Sequence, residues 1–454
     1  MAVTSDPVPL DLPNHITALR FQTGIPRLQS PYATTIVAFS EGLADLPCLV
    51  PILEDLTVPT ATWTFRLDRP AWVLLSVHQM GDASMDSTWQ PLPHGVLWSF
   101  RGSMRYQADR VYARHCETGV VTIPAHPGRT PRGWPARPHL VMLASEALVA
   151  PALGRDRDAL LVEANRIESF DLVADGLSAT IQTKPSLRLT AFVDGSIPAM
   201  LAPPAREPCG LRTWFMEPCQ NEDSGLIACR PAHYSDRGPD HCSLSTGVDP
   251  STGLELLWEV RLHPRRRKLL VRHGLRNHAT TQRRLALWPL VAGAAPQRMK
   301  TVMLRDPDND AMPTAMIPST AFVQDRAEGP RDLTAILGVH QLDEALVLDG
   351  AVMHGTRWLK AGLRAATGTA ALVDGHYILR SRIVAHEPGP YPEGDRNLTT
   401  YRADDIIEIE HVGPLCDVAP GEAIWLDQEL SLHVIPTDEA GDIHRLVQAI
   451  AHLD

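Results

Sequence analysis

Lysine is nearly missing from this chain: four residues (Lys184, Lys268, Lys300 and Lys360) stand among 42 basic side chains in 454 positions. The formal net charge is -11. A chain so poor in positive surface lacks the footprint that phosphate backbones demand, so nucleic acid is excluded as an expected partner. The arginine excess reads as genomic base bias, not as phosphate recognition. No run approaches the ~18 consecutive apolar residues of a membrane span. The first residues, Met-Ala-Val-Thr-Ser-Asp-Pro, show no basic region followed by an apolar one. A cytoplasmic protein without membrane attachment is therefore expected.

Cysteine is sparse as well. The seven residues are odd in number and irregularly spaced, which fits reduced thiols. Cys209, Cys219, Cys229 and Cys242, with His233 and His241, lack the short paired spacing of structural zinc sites. Asp306, Asp308 and Asp310 imitate the start of a calcium loop. Ala311 and Ile317 then occupy the positions where an EF-hand needs glycine and glutamate, so a solvated acidic turn is expected. There is no phosphate loop, no dinucleotide fingerprint, no His-Glu-x-x-His and no Gly-x-Ser-x-Gly. NTPase, dehydrogenase, zinc protease and ordinary serine hydrolase chemistry lose support, and no cofactor or metal is expected. Asn397-Leu-Thr399 is a glycosylation sequon by pattern only.

What the chain does contain is an ordinary globular balance, 44% hydrophobic and 21% charged, with 39 prolines spread along it. At this length two or three domains are expected. Many short elements joined by turns suit an all-β protein. Trp63 to Leu67 and Trp72 to His78 alternate around the break Asp68-Arg-Pro70 and read as two paired strands, a pattern repeated at Val111–His115 and Gly119–Pro124. These place an N-terminal β-sandwich at 15–128, followed by a connector at 129–164 that is turn-rich to Pro138 and then reads as a helix or a strand pair. From 165 to 435 strands continue. Leu254, Leu256, Trp258, Val260 and Leu262 alternate with polar residues, and four Asp-Gly pairs (at 175, 194, 349 and 374) read as tight hairpin turns. Residues 436–454 read as a short closing helix.

Several residues carry possible chemistry. Glu408 and Glu410 are two apart on a strand, so both point to one face with Cα atoms ~6.6 Å apart. On a groove face, desolvation and mutual repulsion would separate their pKa values into an acid beside a base; on a solvated sheet face they would do nothing. Arg212, Trp214 and Glu217 offer a guanidinium fork and a flat apolar ring, as a sugar or uronic-acid site requires; the alternative is a packed tryptophan with a surface Arg–Glu pair. Trp358 and Lys360 form a second such group. His386 and Tyr391 lie in a loop placed to cover a groove. His273 shares a face with Leu269, Val271 and Leu275 and reads as a core residue.

The order of motifs from 165 to 434 resembles the galactose-mutarotase-like superfamily, in an uncharacterised branch. The segments concerned are Gly210-Leu-Arg-Thr-Trp-Phe-Met-Glu-Pro218, Ser251-Thr-Gly-Leu254, Leu275-Arg-Asn277, Ala286-Leu-Trp288 and Tyr391 to Leu432. The strand ending Asp68-Arg-Pro70, then Trp89 to Gly95, Val111-Tyr112 and Gly119 to Pro124 resemble the small β-sandwich modules of bacterial polysaccharide-degrading proteins. The resemblance implies an antiparallel two-sheet supersandwich with a sugar groove on a concave face. It also implies a mono- or oligosaccharide ligand and a late-strand glutamate, at Glu410 or Glu408, acting on the anomeric centre. The histidine motif of active mutarotases has no counterpart here, which leaves His273, His354, His376 and His411 without a motif to choose between them. Two functions stay open: acid–base processing of a carbohydrate by mutarotation, glycoside hydrolysis or a lyase step, and non-catalytic binding through two β-sandwich modules.

Overall fold

A computed structural model describes residues 7–28, 34–52, 60–78, 85–100, 106–128, 136–151, 155–203, 210–217, 230–249, 252–305, 314–316, 336–353, 358–365, 368–384, 389–403 and 406–453. The chain divides into two compact units, Met1–Arg166 and Ile167–Asp454. Among the described residues, no helix is long and apolar enough to cross a membrane.

The first unit contains β1 (Pro9–Leu10), β2 (Ile16–Arg20), β3 (Thr34–Phe39), β4 (Pro47–Pro51) and β5 (Trp63–Leu67). It continues with β6 (Ala71–Val77), β7 (Gln90–Phe100), β8 (Gln107–Cys116), β9 (Gly119–Ile123) and β10 (Leu140–Ala144). One sheet runs β2-β4-β10-β6-β8-β7-β3 and a smaller one β1-β5-β9. The expected pairing of the Trp63 and Trp72 strands is not found: β5 pairs with β1 and β9, whereas β6 pairs with β8 and β10. Asp68-Arg-Pro70 is a crossover between sheets, and the break after β8 is another. Burial explains the difference. Strand β5 alternates buried and exposed, but β6 is buried on both faces, as a strand inside a covered sheet must be.

The segment read as a connector supplies β10, an interior strand of the seven-stranded sheet between β4 and β6. Its Val141 and Leu143 pack with Phe65 and Val73, while Leu140 and Met142 pack on the opposite side with Phe21 and Trp98. The helix Arg157–Ala164 follows, capped by the Asp156 side chain accepting from the Ala159 amide. A buried polar centre ties β6, β7 and β8 together. Asp109 accepts from Arg27 Nε (2.7 Å), Ser76 Oγ (2.7 Å) and Trp98 Nε1 (2.8 Å).

The second unit begins with β11 (Glu168–Ala174), β12 (Leu177–Lys184), β13 (Arg188–Asp194), β14 (Leu211–Met216), β15 (His233–Arg237) and β16 (His241–Val248). Next come β17 (Leu254–His263), β18 (Lys268–Asn277), β19 (Arg283–Ala292), β20 (Lys300–Leu304), β21 (Thr314–Met316), β22 (Val339–Gln341) and β23 (Ala345–Asp349). The last are β24 (Trp358–Leu363), β25 (Thr369–Asp374), β26 (Tyr377–Ile383), β27 (Leu398–Ala403), β28 (Ile406–His411), β29 (Cys416–Val418) and β30 (Ala423–Val434).

They form two ten-stranded antiparallel sheets. The first runs β11-β12-β13-β14-β19-β28-β27-β24-β21, with β29 on β19; the second runs β15-β16-β17-β18-β30-β26-β25-β20-β23-β22. Residues of both enter one core, including Phe215, Leu287, Val291, Ile407 and Ile409 from the first sheet and Trp258, Val271, Leu372 and Leu430 from the second. The fold is all-β, two sheets facing across a shared interior. The outer face of the second sheet is partly covered by the helix Ile443–Ala451, whose Leu446, Val447 and Ile450 pack on Val302, Val347 and Val373.

Of the Asp-Gly pairs, Asp175-Gly176 closes β11 and β12 with both residues at positive φ, as a type I′ turn needs. At β25–β26 the two-residue loop is Gly375-His376, since Asp374 still pairs with Tyr377. Asp194-Gly195 and Asp349-Gly350 end strands without forming two-residue hairpins.

Candidate functional site

Side-chain alternation splits the first sheet of this unit into two chemistries. One face supplies the core through Leu211, Phe215, Leu287, Ile407, Ile409, Leu359 and Ala361. The other face presents Arg212 and Trp214 from β14, Trp288 and Leu290 from β19, Glu408 and Glu410 from β28, Thr399 from β27 and Lys360 from β24. Strand register sets these neighbours: Trp214 lies opposite Trp288, Arg212 opposite Leu290, and Leu290 opposite Glu410. On the far side Thr399 lies opposite Glu410, and Tyr401 lies between Glu408 and Lys360.

The charged groups are buried and paired. Arg212 Nη2 donates to Glu408 Oε1 at 2.7 Å, with side chains 3% and 6% exposed. Lys360 Nζ lies 3.1 Å from Glu410 Oε2, at 5% and 3%. The same Glu410 oxygen accepts from Trp288 Nε1 (3.1 Å) and Thr399 Oγ1 (2.9 Å). The two indoles meet edge to face at 5.5 Å. Arg212 lies over the Trp214 ring at 4.9 Å and Lys360 over Trp288 at 4.5 Å. Each cation thus has a carboxylate and a ring face, an arrangement worth more once water is removed.

Burial dominates the electrostatics of Glu408. It raises the carboxyl pKa above the ordinary range even though the Arg212 guanidinium pulls it down, and neighbouring Glu410 adds to the rise. Three donors have no hydrogen-bond partner among the described residues: Arg212 Nε and Nη1, and Trp214 Nε1. A buried donor left unsatisfied is costly. Among the described residues, no cluster of His, Cys, Asp or Glu is placed to hold a metal ion.

The structure brings together five of the residues singled out in the sequence: Arg212, Trp214, Lys360, Glu408 and Glu410. Neither glutamate is on a solvated face. Glu217 does not join them, nor does it pair with Arg212; it binds Arg283 at 2.5 Å, at the far end of β14. Tyr391 is buried in the turn before β27, with the Arg364 guanidinium 5.1 Å from its ring and its amide donating to Asp395 Oδ1. Trp358 begins β24, and its side chain lies outside the described residues, as do His386, His354, Cys209, Cys219, Cys229, Asp306, Asp308 and Asp310. Asn397 of the sequon is 2% exposed and exchanges two hydrogen bonds with the Ala365 backbone.

His273 and His411 are fully buried on the core side, opposite the glutamates, and neither can act with them. His376 sits in the β25–β26 turn, stacked on Tyr377. The sequence reading did not single out Trp288 and Thr399 as site residues. Trp288 sits in the continuous apolar run Leu285–Ala292, which gives no facing signal; Thr399 is legible only once β27 is paired with β28.

No protein-family model matches the chain, and no curated protein matches it. Solved structures do resemble it. A galactose mutarotase-like protein from Lactobacillus casei is 13% identical, with 59% of this chain and 100% of that one covered and a TM-score of 0.43. A galactose mutarotase-like protein from Clostridium acetobutylicum is 10% identical over 59% of this chain and 98% of that one, with a TM-score of 0.41. An aldose epimerase homologue from C. elegans is 12% identical over 60% of this chain and 100% of that one, with a TM-score of 0.40. Likeness at this level says nothing about what the Arg212–Glu408 face binds.

Proposed function

We propose that the second unit binds a carbohydrate on the face formed by β14, β19, β28, β27 and β24, and carries out acid–base chemistry at a sugar carbon there. The observation that carries this reading is one buried cluster in which two carboxylates, two cations and two indoles converge. Trp214 and Trp288 supply apolar rings for sugar C–H groups. Arg212, with two N–H groups not engaged among the described residues, orients sugar oxygens. Glu408, held toward its protonated form by burial, is the acid, and Glu410 is the base. In a mutarotation step Glu410 takes the anomeric hydroxyl proton while Glu408 gives one to the ring oxygen, and the carbon–ring-oxygen bond opens. Hydrolysis or a lyase step would use the same pair.

A second reading is a non-catalytic binding protein. It is favoured by the same ion pairs, because Arg212 and Lys360 already neutralise both carboxylates as a structural network would. A thermal-shift screen against neutral sugars, uronic acids and short oligosaccharides tests binding. Ligand at ~100 times its Kd adds about 2.7 kcal/mol, which raises Tm by roughly 2–4 °C. With a binding sugar in hand, Glu410→Gln should abolish turnover and spare binding. Loss of both together, or of neither, would favour the non-catalytic reading.

A further inference from the structure

Beneath the cluster, on the core side of the same strands, runs an uninterrupted chain of hydrogen bonds from one sheet to the other and back. Trp258 Nε1 donates to Thr213 Oγ1 at 2.8 Å, and Thr213 Oγ1 meets His273 Nδ1 at 2.7 Å. His273 Nε2 meets Gln428 Oε1 at 2.8 Å, Gln428 Nε2 donates to Ser381 Oγ at 2.8 Å, and Ser381 Oγ meets His411 Nε2 at 2.7 Å. All six side chains are at most 1% exposed.

The direction of every bond but the last follows from chemistry. An indole only donates, so Thr213 accepts from Trp258 and gives its own proton to His273 Nδ1. His273 is then the Nε2–H tautomer and donates to the Gln428 carbonyl oxygen. The Gln428 amide donates to Ser381 Oγ, and the last bond, between that hydroxyl and His411 Nε2, takes its direction from the His411 tautomer. No charge is needed; burial in fact pushes the His273 pKa down to about 3. Bonds in such a chain polarise one another, so its members act together.

Its two members from the first sheet, Thr213 and His411, lie on the strands that carry the Arg212–Glu408 pair. Thr213 sits between Arg212 and Trp214 on β14, and His411 follows Glu410 on β28. Each of these strands is fully paired on one edge, β14 with β19 and β28 with β27 over six residues each, and thinly on the other. Strand β14 meets β13 at Leu189–Leu211 alone, and β19 meets β28 only across Leu290–Ala292. We propose that the relay is a positioning device, pinning β14 and β28 to β17, β18, β26 and β30 so that Arg212 and Glu408 hold their geometry. As a statement about binding it rests on the carbohydrate reading; as a statement about the ion pair it stands independently.

The test uses Gln428→Met, which keeps side-chain length, removes both central bonds and touches none of the clustered residues. In the wild type, ring 15N resonances should report His273 protonated on Nε2. In Gln428→Met, the His273 tautomer should become mixed, the 13C titration of the Glu408 carboxyl should move, and affinity for any sugar found in the screen should fall about tenfold. Thr213→Val should reproduce the Glu408 shift and Thr213→Ser should restore it. If Gln428→Met does not fold, Ser381→Ala removes the last two bonds, leaves the His273–Gln428 bond in place and reads the Glu408 titration and the affinity. The opposite His273 tautomer, or a lowered Tm with an unmoved Glu408 titration, would overturn the proposal and leave the relay as core packing. If no sugar binds the wild type, the carbohydrate reading fails, while the Glu408 titration still decides the relay.

Discussion

Arg212 pairs with Glu408 across an intervening strand, although the glutamate level with it in the sheet is Glu410. Register sets Arg212 opposite Leu290 and Leu290 opposite Glu410, yet the guanidinium reaches diagonally to Glu408. The mirror relation holds on the other side, where Lys360 lies level with Glu408 through Tyr401 and reaches diagonally to Glu410. The two ion pairs are crossed. Among the described residues, Glu408 is held by Arg212 alone and Glu410 by Lys360, Trp288 and Thr399, while Glu410 and Lys360 also act through space on Glu408.

That geometry gives a double-mutant prediction. Arg212→Met leaves a buried carboxylate without its cation and should destabilise the protein by about 3–5 kcal/mol. Glu408→Gln alone should cost less, because the amide can still accept from Arg212. Combining Arg212→Met with Glu408→Gln should recover a substantial part of the first loss, since the charge that lacked a partner has gone. Denaturant unfolding of the four proteins measures the coupling. Additive losses would mean that the pair does not hold in solution.

How much of this was legible in the sequence depended on parity. That Glu408 and Glu410 share a face follows from the strand period alone, and the same period puts His411 on the opposite face. The strand around Trp258 alternates because only its core side is apolar, and its burial follows that pattern. Parity says nothing about partners. Arg212 and Glu408 are 196 residues apart in the chain, and only the sheet order brings them together. Where both faces of a strand are covered, as at β19 and β10, the sequence is a plain apolar run. That is why Trp288 gave no facing signal and why β10 read as part of a connector.

Buried neutral histidines give an acid prediction. In the first unit His139 is 2% exposed, and neither ring nitrogen has a hydrogen-bond partner among the described residues. Burial foremost, with nearby His126 and Arg27, pushes its pKa down to about 3. The unfolded chain titrates this group near 6.5. The stability it confers is therefore complete above about pH 6.5 and falls as pH drops toward 3. Its share of the slope is about 1.4 kcal/mol per pH unit. Glu408 has the opposite sign: its raised folded pKa gives stability that is complete below its unfolded value and is lost as pH rises through the folded one. Comparing His139→Phe with the wild type cancels the groups that His139 does not influence. The variant should be nearly equal in stability at pH 7 and about 2 kcal/mol more stable, relative to wild type, at pH 5. An unchanged difference between the two pH values would mean that His139 is not held neutral.

On the outer face of the second sheet, Gly274 is level with Trp425 across β18 and β30. The indole lies flat on the glycine: a Cβ there would sit 2.5 Å from the ring carbon Cζ3. The Arg272 guanidinium stacks 4.6 Å from the same ring. Backbone strain plays no part, because Gly274 is not among the glycines with positive φ. The glycine is needed for space alone, which makes the prediction specific. Gly274→Ala should cost about 1–3 kcal/mol by forcing the ring aside. In a Trp425→Val background the same change should cost almost nothing and should gain from alanine's better fit to a strand. A full penalty in both backgrounds would show that something other than the indole occupies that space.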